Sequence, residues 1–217
     1  MAKVFQFAVL AAISPLLLVG CSGLNALPGI ETLVAPAPKA DPTALKAGSY
    51  SLDPAHAFLD FSLNHMGLSE LKGRFDNFSV TLDVAEDVTA SKLVAEIDVS
   101  SLFLSSEAFS KTLKSTSWFD ADAYPIARFE AENISLTGNT TGTVTCTLSL
   151  HGTSAPVTLN VTFNGGADVL ITGKYTVGFT ATGVFRRSDF GIDKYTALVS
   201  DDVTLRFSGE FHRVSGV

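Results

Sequence analysis

Residues 144–163 alternate apolar and polar side chains almost without interruption. Val144, Cys146, Leu148 and Leu150 share one parity against Thr145, Thr147 and Ser149. After His151-Gly152-Thr153-Ser154-Ala155-Pro156 the rhythm resumes, with Val157, Leu159, Val161 and Phe163 against Thr158, Asn160 and Thr162. Successive side chains of a strand point to opposite faces, so each run has one oily side and one wet side. The Gly- and Pro-containing break reads as a hairpin connection. The same alternation begins at Tyr50 and returns in residues 59–64, 78–84, 93–99, 127–132, 175–185 and 203–211. About eight strands in meander spacing follow, most of them joined by short connections such as 87–90, 138–142 and 165–167. Antiparallel strands oily on one face stack as a sandwich or close as a barrel. A barrel of eight is filled by its own side chains or holds one slender ligand. The pattern predicts an all-β fold.

One stretch departs from it. In residues 105–118, Ser105 and Ser106 are good N-caps, Glu107 sits in the first turn, and Phe109 and Leu113 share a face. This predicts a short helix between strands, stopped before Tyr124-Pro125, with Phe109, Leu113, Trp118 and Phe119 over one barrel end or on the surface.

Composition narrows the function. At 217 residues and 46% hydrophobic, the chain can bury a substantial core. It carries 16 Phe against 4 Tyr and 1 Trp, bulk without a polar handle. A net charge of −7 leaves no excess of Lys and Arg to displace phosphate counterions, which argues against a nucleic-acid partner. Cys146, on an oily parity, reads as a small buried hydrophobe.

The front of the chain has its own pattern. Residues 1–20 hold one early charge, Lys3, and an apolar run containing Pro15, too short and interrupted for a membrane span. The run ends in Leu18-Val19-Gly20-Cys21, which resembles a bacterial lipoprotein signal. The resemblance implies a signal peptide over 1–20, a lipidated Cys21, and an Ala/Pro-rich tether over 21–49 that leads to a domain over 50–213. Ser22, rather than Asp, then implies export to the envelope and anchoring on the periplasmic face of the outer membrane.

Chemistry is sparse. The four imidazoles are His56, His65, His151 and His212, and no spacing among them forms a metal motif. A Gly-x-Ser-x-Gly elbow and a glycine-rich phosphate loop are absent from the sequence. Neither an enzyme nor a cofactor is expected. Arg186, Arg187 and Asp189 are the best polar group, able to meet a ligand head or to tie a barrel rim by an ion pair.

An ordered set of short motifs then carries a resemblance. These are Tyr50-Ser51-Leu52-Asp53-Pro54-Ala55-His56, Asn64-His65-Met66-Gly67 and Leu71-Lys72-Gly73-Arg74-Phe75, followed by Trp118-Phe119-Asp120, Tyr124-Pro125, Leu148-Ser149-Leu150-His151-Gly152 and Arg187-Ser188-Asp189-Phe190-Gly191. Together they resemble the YceI family of bacterial envelope proteins over residues 50–212. The resemblance implies an extended, lipocalin-like antiparallel barrel that holds a long amphiphile, chiefly a polyisoprenoid or an isoprenoid quinone, in an apolar tunnel. Where members often carry Arg-Asp and a His before the helix leucine, this chain has Phe109, Ser110 and Thr112. On that reading Leu59, Phe61, Leu63, Phe109, Leu113, Trp118, Phe129, Phe163, Phe179 and Phe207 line the tunnel or pack its ends. His65, Arg187 and Asp189 are the candidate head-group contacts. The partners expected are a long-chain lipid and, through Cys21, a membrane; a homodimer is compatible with the sequence. A filled barrel that only displays loops, and an isoprenoid-acting enzyme using His56, His65 and Arg187, are the rival readings.

Overall fold

The computed structural model describes residues 38–214; Cys21, the expected signal peptide and most of the expected tether lie outside the described residues. The strands are β1 (Gly48–His65), β2 (Ser69–Phe75), β3 (Phe78–Val84), β4 (Lys92–Asp98) and β5 (Leu102–Leu104). After the helix α1 (Glu107–Lys114) come β6 (Ile126–Leu136), β7 (Thr141–Leu150), β8 (Thr153–Val169), β9 (Lys174–Arg186) and β10 (Asp202–Arg213). All pairs are antiparallel, and β1 pairs with both β3 and β10, which closes a ring β1-β3-β4-β6-β7-β8-β9-β10. The second half of β1 also pairs with β2, and β2 with β5. These two short strands did not show in the alternation and extend the wall at one end.

The hairpin at the centre of the pattern is tighter than its sequence suggests. β7 and β8 pair from Thr141↔Thr162 to Leu150↔Thr153. The turn is His151-Gly152 alone, with φ of 51° and 73°, the left-handed pair that a two-residue hairpin turn needs. Residues 153–156, expected in the connection, already belong to β8, with Pro156 opposite Thr147. His151 has the hydrogen-bonding turn role expected of it, its Nδ1 lying 2.9 Å from the Phe190 carbonyl. On the wet face, Thr145 meets Thr158 at 3.2 Å and Ser149 meets Ser154 at 2.8 Å, hydroxyl to hydroxyl.

Three register shifts bend the wall. In β1 the pairing with β10 jumps from Leu52↔Phe211 to Ala57↔Gly209, leaving residues 53–56 opposite Glu210. Pro54 has no N–H for the ladder, and the Asp53 carboxylate takes the Ala55 N–H at 3.0 Å instead. The jump switches the inward parity from Tyr50 and Leu52 to Leu59, Phe61 and Leu63. Similar shifts fall after Ala131 in β6 and after Phe163 in β8. Bulges of this kind raise local twist and curl a sheet toward closure. At Gly73, paired with Phe61, a Cβ would lie 2.4 Å from the Phe61 ring.

Packing begins before Tyr50. Lys39 and Gly166 exchange backbone bonds at 3.3 Å, and Asp41 caps the 3-10 turn Pro42–Ala44. The Tyr175 hydroxyl donates to the Ala44 carbonyl at 2.6 Å, and that of Tyr50 to the Lys46 carbonyl at 2.7 Å. Two tyrosines from the barrel thus hold a segment whose composition reads as an unpacked tether. The expected helix is present but shorter, with Ser106 as its N-cap accepting from the Phe109 N–H. It buries Leu113 and Ser110, and the Ser110 hydroxyl accepts the Leu104 N–H at 2.8 Å.

Phe190 is 1% exposed and packs edge-on against Phe185, 5.5 Å between centroids. Replacing it by Ala is expected to cost about 3–5 kcal/mol in urea unfolding. Phe58, 61% exposed on the outer face, is expected to stay within about 0.5 kcal/mol on the same change.

Candidate functional site

The inward parity packs as one buried cluster but leaves two apolar spaces within it. An outer chamber of about 610 Å³ is walled by β1, β2, β4, β6, β7, β9 and β10, and α1 borders it. Leu59, Phe61, Leu63, Phe109, Leu113, Trp118 and Phe129 line it. An inner chamber of about 210 Å³ is lined by Phe163, Phe179 and Phe207, and again by Leu59 and Phe129. All ten apolar residues singled out from the sequence therefore face one chamber or the other. The rings pack against each other: Phe61 on Phe75 at 5.8 Å, Phe163 on Phe179 at 5.3 Å and Phe207 on Phe211 at 6.0 Å. Such contacts fix the walls without a polar atom.

Polar groups gather at the outer chamber's mouth. His65 and Arg187 line it, as do Lys194, Thr112, Ser115 and Ser117. Asp189 does not: the 3-10 turn Arg187–Phe190 carries Arg187 and Phe190 inward and leaves Asp189 exposed. Arg187 is only 4% exposed and donates to three carbonyls, Ser200 at 2.9 Å, Ile192 at 2.6 Å and Val199 at 2.8 Å. Its guanidinium carbon stands 5.8 Å from the Trp118 ring centre. Burial pushes its pKa down, partly offset by Asp201 and Asp193. The ion pair of the rim belongs to Arg186, whose Nε donates to Asp201 at 2.8 Å. Burial pulls Asp201 upward, but bonds from Ser188 and Arg186 outweigh it and hold the carboxyl below its usual range.

Several mouth residues had no periodic signal. Met66, Tyr195, Leu198 and Val199 reach the chamber from loops, where the loop after Gly191 is tied to the β1–β2 turn through Met66 N to Leu198 O at 2.8 Å and Ser200 N to Asn64 O at 2.8 Å. Apolar residues in an otherwise polar loop were the available clue. Leu45 and Pro42, read as tether, border the inner chamber.

A second polar group forms at the β1 bulge. Asp53, His56 and Glu210 bring ligand-type atoms within 4.8 Å of one another. The carboxylate of Asp53 already has protein partners: the Ala55 N–H, His56 Nδ1 at 2.9 Å and His212 Nε2 at 3.2 Å. The Thr176 hydroxyl orients His212 from its other side at 3.0 Å. The hydrogen bond with His56 is the main cause that lowers the Asp53 pKa, and the same bond raises that of His56.

Residues 50–211 match the model of the YceI-like domain. A UPF0312 protein of Pseudomonas savastanoi pv. phaseolicola is 36% identical over 150 residues, 67% of this chain and 77% of that protein. Another from Vibrio cholerae is 34% identical over 173 residues, 77% of this chain and 90% of that protein. Among solved structures, Burkholderia cenocepacia BcnA matches with a TM-score of 0.67 at 25% identity, over 73% of this chain and 98% of that one. The Campylobacter jejuni YceI protein matches with a TM-score of 0.63 at 28% identity, over 70% and 90%. A polyisoprenoid-binding domain from Saccharophagus degradans shares the fold at 18% identity and a TM-score of 0.56, over 76% and 98%.

Two outcomes follow from the polar geometry. Arg187→Gln leaves three loop carbonyls without their donor, at an expected cost of about 2–4 kcal/mol, whereas Asp189→Asn should stay within about 0.5 kcal/mol; denaturant melts compare them. The Asp53–His56 pair stabilises the fold in a window of pH. The lowered Asp53 pKa makes its contribution present above the ordinary carboxylate range and lost as pH falls through the folded value. The raised His56 pKa makes its contribution full below about 6.5 and lost as pH rises through the folded value. An NMR titration should place the His56 midpoint above about 6.5, and Asp53→Asn should lower it, leaving the smaller upward pull of Glu210.

Proposed function

We propose that this chain, which belongs to the YceI-like domain family, binds one long amphiphilic lipid of the polyisoprenoid or isoprenoid-quinone class. The tail lies in the barrel and the head at the mouth, near His65, Arg187 and Lys194. The observation that carries this reading is the paired apolar chambers where an eight-stranded barrel could have a filled core. Protein interiors pack to crystal density, so an unfilled space of this size is a property of the architecture rather than a packing fault. A chain that buries ~500 Å² of apolar surface there gains about 12 kcal/mol at ~25 cal/mol per Å², before association and ordering costs. The same fold carries a polyisoprenoid-binding domain in Saccharophagus degradans, which supports the ligand class.

The polar groups at the mouth suit a small head. Thr112, Ser115 and Ser117 offer hydroxyls, and His65 and Lys194 offer donors at the opening. Arg187 keeps N–H groups beyond its three carbonyl bonds, since a guanidinium has five. Binding needs no bond to be made or broken, and the function is carriage, storage or presentation. On the sequence side, lipidation of Cys21 would hold the protein at the envelope membrane where such ligands reside, each buried methylene adding about 0.8 kcal/mol.

Protein purified from its own host is expected to show, by native mass spectrometry, a bound species of defined lipid mass. Leu63→Glu puts a carboxylate into the outer chamber. It is expected to weaken binding at least about 100-fold while circular dichroism keeps the β signature. A bare wild-type protein, with no lipid in its organic extract, would return the barrel to the display-module reading.

A further inference from the structure

The two chambers meet at four residues that line both: Leu59, Ile97, Phe129 and Leu205. They come as two neighbouring pairs on separate parts of the ring. Leu59 and Leu205 sit on the paired strands β1 and β10, and Ile97 and Phe129 on the paired strands β4 and β6. All four are less than a tenth exposed, and Phe129 is the largest. Bulk from two walls thus stands between a wide space next to the mouth and a smaller space toward the β6–β7 connection. The small space is bordered at its far side by Leu45 and by Asn139 and Thr140 of the β6–β7 connection.

We infer that this waist, with Phe129 as its gating side chain, makes the protein selective for chain length. The inference rests on the lipid-binding reading above and names which member of that ligand class is held. A short prenyl chain fills part of the outer chamber and ends before Phe129. A long chain threads past it and gains the contacts of Phe163, Phe179, Phe207 and Ala181 in the inner chamber, which a short one never reaches. The apolar gain is proportional to area removed from water, so affinity rises stepwise when the chain becomes long enough to cross. The polar mouth contributes equally to both, because the head sits in the same place. Chain length, not head chemistry, is what Phe129 reads.

Two substitutions test this from opposite sides of the waist. Phe129→Trp narrows the passage itself. Ala181→Leu leaves the passage alone and fills the inner chamber, into which Ala181 faces. The delipidated full chain is incubated with equal amounts of farnesol and solanesol, and native mass spectrometry counts the bound masses, with a thermal melt to confirm folding. Wild type is expected to hold solanesol at least about tenfold more tightly than farnesol, which is ~1.4 kcal/mol. Each variant should lower the ratio of solanesol to farnesol affinity by at least that factor. Variants that lower both alcohols together, or a wild type that holds the two equally, would overturn the length filter while leaving lipid binding intact. A wild type that holds neither would overturn the binding reading, and the filter with it.

Discussion

The pairing of β1 with β10 is the contact on which the rest depends. These strands lie at opposite ends of the described chain, yet they run together from Tyr50↔Arg213 to Ser62↔Thr204. Closing a loop of this length costs on the order of 4–5 kcal/mol in chain entropy. The seam offsets it with ladder hydrogen bonds, with the Arg206 guanidinium donating to the nearly buried Ser62 hydroxyl at 3.0 Å, and with Phe211, which is 1% exposed. Without that seam the sheet has two open edges and its inward residues face water. With it, the same residues become the lining of two apolar chambers inside the ring.

Closure also explains the shape of the lining. A strand that ran straight with one parity would be hard to wrap into a narrow ring. The shifts at residues 53–56, after Ala131 and after Phe163 let β1, β6 and β8 change direction while they keep apolar residues inward. The shift in β1 has a polar by-product. The chain looped out there brings Asp53 and His56 beside Glu210 and His212, residues more than 150 positions away in sequence. That network fastens the bulge to the seam.

Much of this was legible in the sequence because a strand's period of two is written directly in residues such as Val144 to Leu150. The inward sets of β3, β4, β7 and β9 could be read off, and so could Leu59, Phe61, Leu63, Phe129, Phe163, Phe179 and Phe207; Phe109, Leu113 and Trp118 came from the helical stretch instead. What escaped notice has a physical reason in each case. β2 carries few apolar positions and β5 is three apolar residues in a row, so alternation has little to mark. Residues 38–47 are held by hydroxyls of Tyr50 and Tyr175 that act from outside the segment. Asp189 shares a motif with Arg187, but a 3-10 turn separates their directions, and no spacing rule for strands anticipates that. For Arg187 the sequence suggests an ion pair; its bonds go instead to loop carbonyls, whose positions exist only once the fold has formed.

One feature of the mouth has a practical side. The chain holds a single indole, Trp118, and it lines the outer chamber with Tyr195 at 6.2 Å and Arg187 on its face. The eleven phenylalanines that line the two chambers contribute almost nothing at wavelengths that excite indole. The emission of the unmodified protein therefore reports one location only, the threshold of the cavity. Displacement of water from that threshold registers as a change of colour, so the molecule is its own optical gauge of occupancy and needs no dye.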